Sequence, residues 1–180
     1  MNGPRATSLG IAVAVAVLVV SVLLAGSAAA TLRTERSLPP LNRQLLAAVN
    51  RFRVAHGLVA LRESAGLDSS ARQHSFEMGR DGYFAHPSAD GTAFWRRIRR
   101  YYGAGRYSYW SVGENLLWRS PKVGAGRALR LWIASPEHLR NLLTPRWRQI
   151  GISAVRLLHA PGVFHGLPVT IITTDFGVRR

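Results

Sequence analysis

The spacing of apolar residues changes from helical to β-type along this 180-residue chain. Early in the chain, apolar residues recur every three or four positions: Leu41, Leu45, Ala48, Val49 and Phe52. Gly57 follows them as a left-handed helix stop. Near the end, residues 149–159 and 167–176 are rich in β-forming residues, and Ala160-Pro161-Gly162 separates them as a turn. Helices that come mostly before strands, with the last two strands antiparallel, predict an α+β domain.

Further elements are predicted between these two ends. Ser64 or Asp68 can cap a second helix, which Gly82 terminates. A third helix is predicted over residues 92–102, with four arginines on its outer surface: Arg96, Arg97, Arg99 and Arg100. The remaining predicted elements are a short strand over 110–117, a helix over 124–135 and a helical turn that starts at Pro136.

The N-terminal segment carries no charge from Ala6 to Leu32 and contains the small-residue sequence Ala28-Ala29-Ala30. This pattern predicts an export signal that is cleaved after Ala30. The apolar stretch over residues 9–24 is also compatible with an uncleaved membrane anchor. We therefore expect three parts: residues 1–30 as a signal peptide or anchor, 31–40 as an extended linker ending in Pro39-Pro40, and 41–180 as one domain.

Export predicts a domain outside the cytoplasm, either secreted or anchored to the outer face of the cytoplasmic membrane. The chain has no cysteine, so its hydrophobic core has to stabilise the fold without disulfides. No nucleic acid partner is expected for an exported protein. Contact with a membrane is expected only through the N-terminal segment or through a basic surface.

The net charge of the chain is +15, from 24 basic and nine acidic residues. Such a charge attracts anionic partners, which for an exported protein are lipid headgroups or acidic cell-envelope polymers. The alternative is a solvated cationic surface without a partner.

Three short segments in fixed order carry the residues suited to chemistry: Tyr83-Phe84-Ala85-His86, Gly113-Glu114-Asn115 and the segment 132–138, which ends in Glu137-His138. Together they contain two histidines and at least one carboxylate. Histidine and carboxylate can hold a divalent metal ion or exchange protons near neutral pH. The residues alone also allow each histidine to be an isolated polar group with local hydrogen bonds.

These segments, together with residues 45–57, Ile150-Gly151-Ile152 and Asp175-Phe176-Gly177, resemble the CAP superfamily. This family comprises the cysteine-rich secretory, antigen 5 and pathogenesis-related class 1 proteins, and the chain resembles its short bacterial members, the SCP-like domains. The resemblance covers residues 41–177. It implies a three-layer α-β-α sandwich with a central, mainly antiparallel sheet.

In that family two histidines and two acidic residues line a central cleft, and the resemblance implies that His86, Glu114 and His138 take these positions. Glu137 is the acid available for the fourth position, either as a group behind the cleft residues or as a surface charge. Asn115 is expected to be both structural and cleft-lining. The cleft is expected to hold a divalent metal such as Zn²⁺ on His86, His138 and Glu114.

Two functions follow from this cleft. The favoured one is an exported binding module that takes a lipid or cell-envelope ligand, with a divalent metal as a candidate cofactor. The alternative is a metal-dependent hydrolase of an envelope peptide or ester, with Glu114 as general base. Binding is favoured because a complete catalytic set requires Glu137 to share the cleft, and adjacent helical residues point about 100° apart.

Other residues are expected to be structural. His74 lies on the apolar face of the second predicted helix and is expected to be a buried histidine with satisfied hydrogen bonds. Asp175-Phe176-Gly177 matches the magnesium-binding triplet of protein kinases, but no kinase glycine-rich loop or catalytic loop accompanies it. The sequence contains no G-x-S-x-G, H-E-x-x-H or Walker motif, so the common hydrolase and nucleotide-binding classes are not supported.

Overall fold

A five-stranded sheet lies between two layers of helices in the computed structural model, which describes residues 35–180. The strands are β1 (Glu35–Ser37), β2 (Arg62–Glu63), β3 (Trp110–Arg119), β4 (Gln149–Leu157) and β5 (Val169–Arg179). The helices are α1 (Pro39–Ala55), α2 (Ala65–Asp81), α3 (Phe94–Tyr101), α4 (Ala125–Ile133) and α5 (Pro136–Leu142), and a 3₁₀ turn covers Gly162–Phe164. The predicted α+β class and the three-layer α-β-α sandwich are confirmed.

The strand order in the sheet is β1-β4-β5-β3, and β2 pairs with the first residues of β4. The β2–β4 pair is parallel, whereas the other pairs are antiparallel. The predicted pairing of the last two strands is confirmed, because β4 and β5 form a regular antiparallel ladder. β3 pairs with β5 along its whole length and lies at the edge of the sheet. Side chains of β3 therefore contact both helical layers, and its outer edge faces solvent.

One helical layer consists of α1, α4 and α5. Its apolar side chains pack against one face of the sheet, to which β4 and β5 contribute every second residue. This core includes Leu45, Val49, Ala128, Trp132, Leu142, Ile150, Ile152, Ile172 and Phe176. The helical spacing noted in the sequence of α1 is the spacing of its buried residues.

The other layer consists of α2 and α3 and packs against the opposite face. Its core includes Leu67, Met78, Ile98, Tyr102, Val155, Phe164 and Ile171. Because side chains alternate along β5, Ile172 and Phe176 face the first layer, whereas Ile171 and Asp175 face α2 and α3. β5 is consequently buried on both faces.

The domain begins before residue 41. Residues 35–37 form β1 against β4, and Pro39 and Pro40 are the first residues of α1. Proline suits the first turn of a helix because that turn has no partner for its N–H group. The predicted extended linker is therefore wrong for residues 35–40. Residues 1–34, which contain the predicted signal or anchor and the start of the linker, lie outside the described residues.

Among residues 35–180, no helix combines the length and the hydropathy needed to cross a membrane.

Helix α2 lies very close to the sheet at Gly151 of β4. A Cβ at this position would overlap the main chain of Leu67 and Asp68. Beside this contact, the Asp68 carboxylate accepts a hydrogen bond of 2.9 Å from the backbone N–H of Ile152. Asp68 thus ties the helix to the strand instead of capping its own helix, and its burial raises the pKa of its carboxyl to about 6.

The loop after α2 is fastened at two points. Gly82 ends the helix with φ at 72°, and its carbonyl accepts a 2.9 Å hydrogen bond from Val163 in the turn between β4 and β5. Gly162 lies so close to Gly82 that a Cβ on either would overlap the main chain of the other. The buried His74 ring donates from Nε2 to the Ala85 carbonyl at 2.9 Å, which confirms the predicted role of this histidine. Burial also lowers the pKa of His74.

Gly151→Ala is expected to destabilise the domain by about 3 kcal/mol, because the added methyl group meets main-chain atoms of α2 that cannot move independently. Gly126→Ala is the matched control: this exposed glycine lies inside α4 with space around it, so alanine should be neutral or slightly stabilising. Urea unfolding of both variants measures the two effects. Equal stability of the two variants would contradict the proposed close contact.

Candidate functional site

A cleft of about 370 Å³ opens beside the edge strand β3. Its lining residues come from β3, α5, the loop after α2, the start of α3 and the segment between α5 and β4: His86, Phe94, Val112, Gly113, Glu114, Asn115, Glu137, His138, Arg140, Asn141, Arg146 and Trp147. The structure therefore brings together all five residues that the sequence analysis assigns to a ligand cleft: His86, Glu114, Asn115, Glu137 and His138.

The Gly113-Glu114-Asn115 motif acts through the alternation of side chains along β3. Glu114 points toward the layer of α2 and α3, where it contacts Arg97 of α3. Asn115 points toward the opposite layer, where its Nδ2 donates to the His138 carbonyl of α5 at 3.1 Å. Two adjacent residues of one edge strand thus hold the two walls of the cleft.

Glu114 is buried between two partners. Its Oε1 accepts a hydrogen bond of 2.7 Å from Nδ1 of His86, and its Oε2 pairs with Nη2 of Arg97. The Glu114 side chain is 1% exposed and the His86 side chain 49% exposed. Both carboxylate oxygens are engaged, and the negative charge is compensated inside the protein. His86 keeps Nε2 as an acceptor on a half-exposed ring.

Arg97 is the first functional residue that the sequence analysis misses. It is predicted on the outer surface of α3, but the structure buries it fully. Besides Glu114, its Nη1 donates to the His86 carbonyl at 3.1 Å and to Ser88 Oγ at 3.4 Å. A planar guanidinium can make several such bonds at once, so Arg97 connects α3, the His86 loop and β3. The signal in the sequence is its position next to Ile98, the centre of the buried side of α3.

Asp175 is the second missed residue. It lies opposite Glu114 in the β3–β5 register and has no exposed surface. Burial, followed by the nearby charge of Glu114, raises the pKa of Asp175 well above its usual range, which favours a neutral carboxyl. Ser70 is also nearby, yet neither Asp175 oxygen makes a hydrogen bond of good geometry within residues 35–180. An acid inside an otherwise uncharged β-rich run is the signal that points to its burial.

Asn141 holds α5 against β3. Its Nδ2 donates to the Glu114 carbonyl at 2.9 Å and to Oδ1 of Asn115 at 3.0 Å. A Cβ on Gly113 would come within 2.8 Å of Asn141 Oδ1 and 3.0 Å of the Trp147 ring. Gly113 leaves space for Asn141 of α5, Glu114 binds Arg97 of α3, and Asn115 binds the main chain of α5. Each position of the motif therefore has its own physical reason.

The residues at the mouth of the cleft carry most of its exposed charge. Glu137 and Arg140 of α5 are exposed, and so is Arg146, whose guanidinium lies 4.7 Å from the centre of the Trp147 ring. Glu137 is thus a charge at the surface of the cleft, not a group behind it. Burial, and then the neighbouring His86, lower the pKa of His138, so its imidazole is neutral at pH 7.

The predicted metal set does not fit this arrangement. Within residues 35–180, no group of three or more histidine, aspartate and glutamate side chains is placed to hold a metal ion. Glu114 would have to release His86 or Arg97 to become a ligand, because each of its oxygens is engaged. His86 and His138 remain as candidate ligands, and zinc binding stays a prediction.

Comparison with known proteins identifies the family. The model of the family described as CAP, the cysteine-rich secretory protein family, matches residues 46–160. The chain belongs to the CAP family. A curated relative, an uncharacterized membrane protein of Bacillus subtilis (strain 168), is 27% identical over 114 residues, which are 63% of this chain and 31% of the relative. The chain thus spans about a third of the length of that relative.

Three solved structures have the same CAP fold. An outer surface protein of Borrelia burgdorferi has a TM-score of 0.64 at 20% identity and covers 81% of this chain and 98% of its own. An SCP-domain extracellular protein of Bacillus anthracis str. Ames has a TM-score of 0.59 at 24% identity, over 78% of this chain and 41% of its own. A cysteine-rich secretory protein of Staphylococcus aureus has a TM-score of 0.53 at 16% identity, over 77% and 38%.

Arg97→Met is expected to lower the free energy of unfolding by about 3–5 kcal/mol, because it leaves the Glu114 carboxylate buried without its cation. Arg97→Met combined with Glu114→Gln should cost less than the sum of the two single changes. Urea unfolding of the three variants gives this coupling. Arg96→Met, at the exposed neighbouring position, is the control, and an Arg97→Met loss no larger than that of Arg96→Met would contradict the pairing.

Zinc binding by His86 and His138 is expected to be weak, because two imidazoles supply half of a tetrahedral shell. Affinity should rise with pH as protons leave the rings. At His138 this rise should be complete at a lower pH than for a free imidazole near 6.5, since the pKa of His138 is lowered. Calorimetric titration with Zn²⁺ at several pH values measures this dependence.

Three alanine variants provide the controls for the zinc titration. His86→Ala and His138→Ala should each abolish binding. His138→Ala should cost little stability, whereas His86→Ala leaves the buried Glu114 Oε1 without its donor and should cost about 1–3 kcal/mol. His74→Ala should leave any zinc binding intact and cost about 1–3 kcal/mol of stability, because it leaves the Ala85 carbonyl without its buried donor. Zinc affinity that survives both cleft variants would show that these histidines are not the ligands.

Proposed function

We propose that this chain is an extracellular or surface CAP-domain binding protein, whose cleft takes an anionic lipid or cell-envelope ligand with an apolar part. The observation that carries the proposal is the charge at the cleft. Glu114 is neutralised by Arg97 below the surface, so Arg140 and Arg146 outweigh Glu137 at the mouth. Such a mouth attracts an anionic group.

The walls of the cleft support an apolar part in the ligand. Phe94 and Val112 line one side, and the Trp147 ring lies at the other. Arg146 lies over the buried Trp147 ring, which holds its guanidinium at the mouth beside the apolar wall. A ligand that combines a phosphate or carboxylate with a hydrocarbon chain matches both surfaces.

Two kinds of observation, the localisation of relatives and the N-terminal sequence, support the proposed localisation. The Borrelia burgdorferi relative is an outer surface protein, and the Bacillus anthracis relative is an extracellular protein. The uncharged run over residues 6–32 predicts export of this chain as well. These observations support a location outside the cytoplasm, with the domain secreted or anchored to the outer face of the cytoplasmic membrane.

Binding is favoured over hydrolysis because of the position of Glu114. A general base needs a free oxygen within reach of the proton that it removes, and both Glu114 oxygens are engaged inside the protein. The metal-dependent hydrolase, which needs Glu114 and a metal ion, has less support from this geometry. His86 and His138 remain as cleft residues with a ring nitrogen available to a ligand.

The proposal is tested with a short-chain anionic lipid, dihexanoyl phosphatidylglycerol, kept below its micelle concentration. Titration followed by NMR is expected to shift the Trp147 and His138 signals, and dihexanoyl phosphatidylcholine should bind more weakly. Arg140→Gln with Arg146→Gln should weaken binding at least about tenfold, since a hydrogen bond to a charged group contributes about 1.5–3 kcal/mol. Arg127→Gln with Arg130→Gln, on exposed positions of α4, removes the same charge and should leave binding unchanged.

The same titration separates binding from catalysis. Release of hexanoate from the probe, abolished by a chelator and by Glu114→Gln, would replace the binding proposal with the hydrolase. Equal loss of affinity in the two double variants would show that overall charge, not the cleft, attracts the probe.

A further inference from the structure

The surface formed by α3, residues 103–109 and the end of β5 concentrates exposed aromatic and arginine side chains. Within residues 35–180 five aromatic side chains are exposed, and four of them lie here, between 37% and 46% exposed: Trp95, Tyr101, Tyr107 and Tyr109. Five exposed arginines lie among them: Arg96, Arg99, Arg100, Arg106 and Arg180. We call these nine residues the Arg–Tyr patch.

The patch has two parts, which adjoin where α3 ends. Residues 95 and 99, and residues 96 and 100, are four positions apart on α3 and share its outer face. Tyr109 and Arg180 exchange two backbone hydrogen bonds, and the Arg180 guanidinium lies 4.9 Å from the centre of the Tyr109 ring. Arg179 lies between the two parts: its guanidinium is 4.3 Å from the ring of the buried Tyr102, which directly follows α3, and 5.5 Å from the Tyr107 ring.

The positive charge of the patch is not compensated by neighbouring acids. No acidic residue occurs from Gly91 to Gly113. None of the ion pairs formed within residues 35–180 includes an arginine of the patch. Asp90, the acid just before this stretch, accepts the Thr92 N–H and is near enough to interact with the charge of Arg100. The remaining guanidinium groups are free to bind an external anion.

We propose that the Arg–Tyr patch docks the domain onto an anionic phospholipid bilayer. Tyrosine and tryptophan favour the headgroup level of a membrane, because the ring is apolar and its edge is polar. Arginine binds phosphate through two parallel N–H groups while its stem lies along apolar surface. The uncharged run over residues 6–32 predicts that this same chain is directed to a membrane, so a bilayer is an anionic surface that the domain is expected to meet.

This inference goes beyond the cleft. None of the nine patch residues lines the cleft, and no cleft residue belongs to the patch. The two proposals therefore stand or fall separately: a variant that loses the short-chain lipid in the cleft should still dock on the membrane.

The test uses the full chain in phosphatidylcholine vesicles with or without phosphatidylglycerol. Because the chain has no cysteine, Ser108→Cys provides a single site for a polarity-sensitive fluorophore within the patch. Docking should shift its emission to the blue in the anionic vesicles. His159→Cys is the control, since the turn between β4 and β5 lies at the opposite end of β5 from Arg179, and its label should not respond.

Charge variants make the test quantitative. Arg99→Gln with Arg100→Gln should lower the ratio of docked to undocked domain about 30-fold, as expected when two arginines leave an anionic surface. Arg127→Gln with Arg130→Gln, which removes the same charge from α4, should change it little. Raising the salt from about 0.1 M to about 1 M should release the domain, because the screening length falls from about 10 Å to about 3 Å.

Three results would overturn the proposal: an equal response of the Ser108 label in both kinds of vesicle, equal losses in the two double variants, or docking that resists high salt. A response of the label to a soluble acidic polymer but not to vesicles would likewise reject the bilayer as the partner. Docking that persists in Arg140→Gln with Arg146→Gln would confirm its independence from the cleft.

Discussion

The buried contact between Arg97 and Glu114 connects the parts of the domain that form the cleft. It joins α3 to β3, and the same guanidinium holds the main chain of the His86 loop. Removing two charges from water is costly, and apolar residues often stabilise a core equally well. The main effect of this pair is therefore on position: Arg97 fixes the Glu114 carboxylate, which in turn orients the His86 ring. With Asp175 neutral behind it, the cluster contains one positive and one negative charge.

The position of β3 at the sheet edge explains why the cleft opens there. A central strand has neighbours on both sides, so its main chain is not accessible from the side. On β3 the Glu114 carbonyl is free to accept from Asn141, which covers this edge with a side chain instead of another strand. Glu114 and Asn115 then serve opposite helical layers from one strand. The cleft is the gap between those layers at the point where the sheet ends.

The fold was largely predictable because its signals are local. The buried positions of α1 and the turn between β4 and β5 are visible in short stretches of sequence, and the ordered motifs place His86, Glu114 and His138 beside one cleft. The errors concern residues whose type allows two structures. Pro39 suits an extended linker and the first turn of a helix equally, and Arg97 has the same side chain as its exposed neighbours. The partners of Glu114 depend on distant contacts, so the fit of a metal was not predictable.

The contact between Gly82 and Gly162 restricts where residues can be inserted into this domain. A hairpin turn at the surface, such as residues 158–168, is ordinarily a permissive place for inserted residues, because little else depends on it. Here Val163 binds the Gly82 carbonyl, and the segment that begins at Gly82 leads to His86. An insertion in the hairpin would therefore displace the segment that leads from Gly82 to His86. The position of this cleft residue thus depends on a turn at the far end of the sheet. In this protein, an insertion site for a tag or a reporter is better sought in another exposed loop.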